Sequence, residues 1–411
     1  MKPEQDQRKS QLAVIFMTVF LFLAGFGIVI PIIPLLGKEF GGTAFQIGAL
    51  TASYSLMQFL FAPFWGKWSD RVGRRPVLLF CLVGEALAYV VFALARSYEA
   101  LMVARLLAGF FGASISTASA YISDITPPQE RSKGMALIGA AFGLGFLVGP
   151  LLGGVLNLWG RSIWDMPFAG TTFTGFWVAA ICLANFVFAF KFLKESLPPE
   201  KRKHSSQERP KRLEVLLGNI RKPVVGKLIF VFFLSSLAMS TMEVSLVLFM
   251  AEKFSWTEQH VLWGFGFIGL MSVICQGFLV RRLLPIWGEK RMLQLGLVSM
   301  ALAFSGIALA PNVFLMAGVM VLLALGNSFT NPSILGSISL LTPADQQGEI
   351  LGSTQGTASL GRILGPLIGG AVYQMVSISF PFLISSFFAI CGFLIVVSLL
   401  AVLPSAAQTT K

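Results

Sequence analysis

Charge is what this sequence has least of. Only 12% of its 411 residues are Asp, Glu, Lys or Arg, about half the roughly 25% usual in a soluble globular domain. So few charges cannot cover a chain of this length in water, which excludes an ordinary soluble fold. Metal-ligating residues are scarce as well. There are two histidines, His204 and His260, and four cysteines, Cys81, Cys182, Cys275 and Cys391. Each cysteine lies in an apolar run and no two stand at a ligand spacing, so they read as reduced thiols in the interior and no metal site is expected. A Walker A sequence and a GxSxG elbow are both missing, which removes the usual signs of ATP-driven pumping and hydrolase chemistry. The single GxGxxG match, Gly264 to Gly269, sits inside an apolar run with no strand pattern before it, so a dinucleotide role is set aside.

What is abundant is hydrocarbon. Apolar residues make up 55% of the chain, and 38 residues are Phe. Many apolar runs approach the roughly 20 residues that carry a helix across a bilayer core. In hydrocarbon the backbone must satisfy its own hydrogen bonds, so such runs are helices or barrel strands. Barrel strands would alternate apolar and polar residues. These runs do not alternate, so the expected fold is an all-α integral membrane protein. Twelve helices are predicted, at 12–36, 46–65, 76–96, 98–122, 134–158, 174–193, 224–251, 258–281, 290–310, 313–340, 349–373 and 378–403. The polar stretch MKPEQDQRKSQ precedes the first. That first run is too long for a signal peptide and lacks a clear cleavage site, so a retained helix is expected.

One connection is long, polar and basic: residues 194–222, beginning KESLPPEKRKH. It divides the chain into an N-terminal six-helix bundle (1–193), a linker (194–222) and a C-terminal six-helix bundle (223–411). The Lys and Arg residues choose the orientation. Most fall in the two terminal segments, the linker and the loops on the same side. The opposite loops hold Lys38, Arg96, Arg161 and Lys253, while Arg105 and Arg362 lie inside helices. Under the positive-inside rule both termini and the linker are cytoplasmic. The net charge of +12 is thereby read as membrane topology, and no nucleic-acid partner is expected.

The two bundles look like copies. GLGFLVGPLLGG at 143–154 matches SLGRILGPLIGG at 359–370, an offset of 216. Thr126-Pro127 matches Thr342-Pro343, and Leu106-Leu107-Ala108 matches Leu322-Leu323-Ala324, in the same register. Parallel repeats of this kind place a binding site near the midplane and give alternating access by rocking of the halves.

GKWSDRVGRRP (66–76), LMVARLLAGFFGA (101–113) and GLGFLVGPLLGG (143–154) together resemble the loop 2–3, helix 4 and helix 5 motifs of the major facilitator superfamily. The resemblance covers nearly the whole chain. GFGIVIPIIPLLGKEF (25–40) and WGFGFIGLMSVICQ (263–276) are similar to the drug–proton antiporter branch that includes the tetracycline exporters. There is one departure. Where the tetracycline branch carries an acidic residue in helix 1, this chain has Phe22.

The resemblance implies a conformational latch of Gly66, Asp70, Arg71, Gly73, Arg74 and Asp124, with Asp70 bracing helix 11 and Arg74 pairing with Asp124. It also implies an antiporter motif of Gly145, Gly149, Pro150 and Gly153, whose Gly-Pro bends the helix. Read from the residues, glycines at every fourth position (145, 149, 153 and 361, 365, 369) let helices approach closely. Four ionisable residues stand well inside predicted helices: Glu85, Arg105, Glu243 and Arg362. Each costs about 2.5–3.5 kcal/mol or more at the bilayer centre, so each should face a cavity or a partner. They are the candidates for proton coupling and substrate contact, with Glu243 the first choice for the coupling carboxylate and a structural ion pair or a snorkelling end residue as the alternative. Gln58, Gln276, Asn327 and Asn331 are candidate cavity groups.

These features lead to a multi-pass inner-membrane secondary transporter and not an enzyme. It is expected to export small amphipathic or drug-like molecules in exchange for protons. It would use the proton gradient and no cofactor, and the resemblance implies a monomer in the lipid bilayer. Export of an endogenous metabolite, lipid-like compound or sugar is the nearest alternative. Next come a facilitator or proton symporter importing a nutrient, and a transport-inactive membrane sensor.

Overall fold

Apolar runs without alternation fold as helices. The computed structural model describes residues 2–127, 131–202, 218–343 and 346–400, and among them there is no strand. The helices are α1 (Lys2–Val29), α2 (Ile32–Glu39), α3 (Ala44–Val72), α4 (Arg74–Leu94), α5 (Tyr98–Gly112), α6 (Ile115–Ile125), α7 (Arg131–Ile163), α8 (Ala169–Phe192), α9 (Pro199–Arg202), α10 (Val225–Lys253), α11 (Glu258–Ile274), α12 (Arg281–Leu309), α13 (Val313–Leu340), α14 (Gln347–Met375) and α15 (Phe380–Ser398). A π-helical turn, Cys275–Val280, joins α11 to α12.

Among the described residues, ten helical stretches are long and apolar enough to cross a membrane. One of them, Glu258–Leu309, runs to 52 residues and is broken at Gly288, whose φ of 70° and ψ of 167° are not helical. α14 is 29 residues long but is not among the ten. Its glycines, hydroxyls, Gln355 and Arg362 lower its hydropathy.

Three boundaries differ from the sequence expectation. The predicted first helix is two helices, α1 and α2, parted at Ile30-Pro31. Pro31 has no N–H to continue the ladder. The predicted fourth helix is also two. The backbone tightens at Ala113–Ser114, where Ser114 N–H donates to the Phe111 carbonyl at 3.1 Å. The charged motif at 66–72, expected as loop, is the last two turns of α3. Ser69 Oγ donates back to the Gly66 carbonyl at 2.8 Å, and the helix stops only where Gly73 turns to a φ of 117°, a value that glycine tolerates and other residues rarely adopt.

The described chain forms two compact units. The first comprises residues 1–41, 53–208 and 257–266; the second comprises 42–52, 209–256 and 267–411. In the first, α1 packs on α7 and α8, and α4 packs on α5 and α8. Its core joins Val19, Phe22 and Leu23 of α1 to Leu78 and Leu82 of α4 and Ile122 of α6. Phe22 is 5% exposed in this cluster, so the position that is acidic in the tetracycline branch is here part of the apolar core. In the second unit, α10 packs on α14 and α15, and α12 packs on α13 and α15. Its core is built around Ile229, Leu293, Leu297, Ile334 and Val396.

The glycine ladders make the tightest of these pairs. A Cβ on Gly27 of α1 would lie 2.6 Å from the Gly145 carbonyl oxygen, and one on Gly149 would lie 2.7 Å from the backbone carbon of Gly27. In the second unit, a Cβ on Gly365 would lie 2.7 Å from Ser240 Cβ, and one on Gly369 would lie 2.5 Å from the Thr241 carbonyl oxygen. Lipid tails are as apolar as leucine, so helices associate in a membrane through such close backbone packing. Gly66 is different, because a Cβ there meets nothing within 4 Å.

Two substitutions test this reading. Gly149→Val should lower the melting temperature of the detergent-purified protein, consistent with overpacking costs of about 1–3 kcal/mol. Gly66→Ala should leave it unchanged or raise it, because alanine is favoured over glycine in a helix by about 1 kcal/mol.

Candidate functional site

The glycines of the 101–113 motif bring α5 against α3. A Cβ on Gly109 would lie 2.5 Å from the Tyr54 carbonyl oxygen. One on Gly112 would lie 2.7 Å from Tyr54 Oη, 3.2 Å from Glu85 Oε1 and 3.3 Å from Gln58 Nε2. The bare backbone at Gly112 is therefore the floor on which three polar side chains converge. Gln58 Nε2 donates to Tyr54 Oη at 3.0 Å and to the Gly112 carbonyl at 3.2 Å.

Arg105 enters the same cluster from α5. It is 3% exposed. Its guanidinium lies 4.6 Å from the centre of the Tyr54 ring and 6.0 Å from that of Phe26. The two rings stack with centroids 4.5 Å apart. A cation over stacked aromatic faces is held by their quadrupoles, an interaction that strengthens when water is excluded.

Glu85 completes the site from α4. It is 1% exposed, and among the described residues neither of its carboxylate oxygens meets a hydrogen-bond donor. Arg105 is the charged group that acts on it electrostatically. Tyr89, one turn further along α4, is also buried. An ionised carboxylate without donors is expensive in an apolar interior. The site has two ways to remove that cost: to bind a proton, or to draw a positive charge closer.

A second cluster lies at the end of the first unit that carries the 66–76 motif. Arg74 Nη1 is 2.6 Å from Asp70 Oδ1, and its Nε is 3.0 Å from Asp124 Oδ2. The Arg74 and Asp70 side chains are buried, and Asp124 lies nearer the rim. Nη1 also donates to Ser69 Oγ at 2.7 Å. Buried charge pairs with this many directed hydrogen bonds are strong when assembled and costly when broken singly. Arg71 is exposed.

A third cluster joins α7, α8 and the first turn of α11. Glu258 accepts from Asn157 Nδ2 at 2.8 Å, from Arg161 Nη2 at 2.6 Å and from Thr171 Oγ1 at 3.2 Å. Arg161 Nε donates to Asn157 Oδ1 at 3.0 Å. Sequence reasoning missed this clasp. Its residues are ordinary helix-end polar groups, and Arg161 and Glu258 stand 97 positions apart.

The second unit holds the other sequence candidates. Glu243 is half-buried on α10. Asn331 Nδ2 donates to Asn327 Oδ1 at 3.0 Å along one face of α13. Arg362 is exposed on α14, with Nη2 donating to Ser359 Oγ at 2.8 Å. Gln276 is exposed on the π-helical turn. Tyr54 and Phe26 were missed as site residues, because among so many aromatics in apolar helices nothing sets these two apart.

Comparison with known proteins gives a consistent result. A family model described as Major Facilitator Superfamily matches residues 15–309 and 244–411. The chain is 32% identical over 371 residues to a tetracycline resistance protein, class C, of Escherichia coli, covering 88% of this chain and 89% of the relative. It is 30% identical over 395 residues to multidrug resistance protein 2 of Bacillus subtilis (strain 168), covering 95% and 96%. Its fold is similar to the crystal structure of the human organic anion transporter MFSD10 (TETRAN), with a TM-score of 0.71, 27% identity and coverage of 95% of this chain and 99% of that one.

Gly112→Ala should disturb the site more than the fold. The added methyl must displace Tyr54 Oη or Gln58, so solute transport should fall several-fold, with a stability cost of about 1–3 kcal/mol. Gly139→Ala, where a Cβ meets nothing within 4 Å, is the matched control in the same transport and melting assays.

Proposed function

The chain belongs to the Major Facilitator Superfamily and is a membrane transporter, and from that premise we propose that it is a proton-coupled exporter of small amphipathic molecules. The observation that carries the coupling is Glu85, a carboxylate 1% exposed and, among the described residues, without donors, beside the aromatic-stacked Arg105. Protonation of Glu85 and its attraction to Arg105 are competing states of one site, and alternation between them links proton movement to a change of conformation. Tyr54, Phe26 and Gln58 give the same site flat apolar faces and a polar edge, the mixture that suits drug-like solutes.

The topology follows the same reading. Dividing the 52-residue stretch at Gly288 and adding α14 gives twelve spans, six on each side of the linker. The Lys and Arg bias supports cytoplasmic termini, and the bacterial relatives support an inner membrane. The Arg74–Asp70–Asp124 cluster then lies at the cytoplasmic face and serves as the latch that holds one state of the cycle. The resistance proteins of Escherichia coli and Bacillus subtilis support drug efflux, while Phe22 in the apolar core argues that tetracycline is not the defining substrate. A second reading, export of organic anions, is favoured by Arg105 in the buried site and by the activity named for the human relative.

The test is proton movement in proteoliposomes with an imposed pH gradient. Tetracyclines, cationic dyes, fluoroquinolones, organic anions, sugars and lipid-like compounds would be added in turn. The expected result is that at least one amphipathic compound collapses the gradient and that Glu85→Gln reduces the response to background, whereas Glu243→Gln does not. Glu85→Gln should not lower the melting temperature, because it removes a buried charge that has no donors. Equilibration of a labelled solute without proton movement would make the chain a facilitator.

A further inference from the structure

The residue that holds the start of α4 does not come from the 66–76 motif. Glu195, just beyond α8 at the beginning of the inter-half segment, accepts from Arg74 N–H at 2.9 Å and from Arg75 N–H at 3.3 Å. It also accepts from the backbone N–H groups of Ser196 and Leu197, at 3.0 and 3.1 Å. A helix leaves its first N–H groups without intrahelical partners, and a carboxylate placed there satisfies them and complements the helix dipole. Here the cap is supplied from 121 residues away. The approach is so close that a Cβ at Gly73 would displace the Glu195 carboxylate from these bonds, and the φ of 117° favours glycine there as well. Arg202, 3.8 Å from Glu195 Oε2, supplies a balancing charge from the same segment.

The next residue reaches the other side of the ion pair. Ser196 Oγ donates at 3.1 Å to Asp124 Oδ2, the oxygen that also faces Arg74 Nε. Consecutive residues of the linker therefore fix the backbone of Arg74 and the carboxylate that Arg74 binds. We infer that Glu195 is a positioning residue for the Arg74 latch, so that the first turn of the linker governs whether the latch can close. This rests on the reading of Arg74, Asp70 and Asp124 as a latch. Withdrawal of the linker removes the cap, releases the first turn of α4 and takes Arg74 out of register with both carboxylates. The segment that joins the two halves is then also the segment that unlocks one of them.

The experiment is hydrogen–deuterium exchange on the full-length purified protein, read in peptides covering the start of α4 and the end of α6. A cap with only a local role would protect residues 74–77 and nothing else. The positioning role predicts that Glu195→Gln also speeds exchange at the end of α6, around Asp124, by about threefold or more, as expected for a local opening made easier. Glu195→Asp, which keeps the charge, should restore most of the protection, and Ser196→Ala should act in the same direction more weakly. Asp70→Asn should speed exchange at the end of α6, and adding Glu195→Gln to it should give little further change. If Asp70→Asn leaves α6 unaffected, the latch reading fails. If Asp70→Asn loosens α6 but Glu195→Gln alters only residues 74–77, or if the two effects add fully, the Glu195 inference alone is overturned. Should Glu195→Gln not fold, Ser196→Ala decides the same point, because wild-type exchange at the end of α6 in that variant would overturn the inference.

Discussion

Close backbone contact between helices is the constraint on which this structure depends. In a membrane the apolar side chains gain little by leaving lipid for one another, so the order of the bundle is set by where helices can approach most nearly. Gly27, Gly145 and Gly149 set that order in the first unit, and Gly365 and Gly369 set it in the second. The same device recurs at Gly109 and Gly112, where it serves a different end. The space left by two missing side chains is used to bring Tyr54, Gln58 and Glu85 to one point.

That juxtaposition gives the buried polar groups their meaning. Several buried hydroxyls return a hydrogen bond to the preceding turn of their own helix, as Thr18 does to Val14 and Thr354 does to Ile350. They cost the bundle little. Among the described residues Glu85 has no such outlet, and Arg105 lies against the Tyr54 and Phe26 ring faces beside it. A buried carboxylate in this condition can bind a proton at low cost. The Arg74 cluster is the opposite case, since its guanidinium has directed bonds to two carboxylates and a hydroxyl and must break them to move.

Much of the fold could be read from the residues. Apolar runs gave the helices, and the match between 143–154 and 359–370 pointed to the symmetry that places α7 on α1 and α14 on α10. The missing acid at Phe22 was visible, but its reason was not: only the packed core shows that Leu78, Leu82 and Ile122 surround that position. The continuation of α3 through the charged motif was hidden because Lys67, Asp70 and Arg71 look like a loop when charge alone is read. The clasp on Glu258 and the cap from Glu195 could not be found at all. Each depends on a pair far apart in sequence, and neither partner departs from what a helix end ordinarily carries.

The exchange of segments between the two compact units has a consequence for synthesis. Residues 257–266 belong to the first unit, while 42–52 belong to the second. Chains emerge from the ribosome at about 5–20 residues per second and domains tend to fold in that order. The first unit cannot finish in that order, because Arg161 waits for Glu258 to be made, 97 residues later. Until then Asn157 and Arg161 have only each other at the end of α7, and residues 44–52 of α3 wait longer still for the rest of the second unit. A ribosome stalled before residue 257 would therefore hold a first unit whose clasp on Glu258 is still unmade.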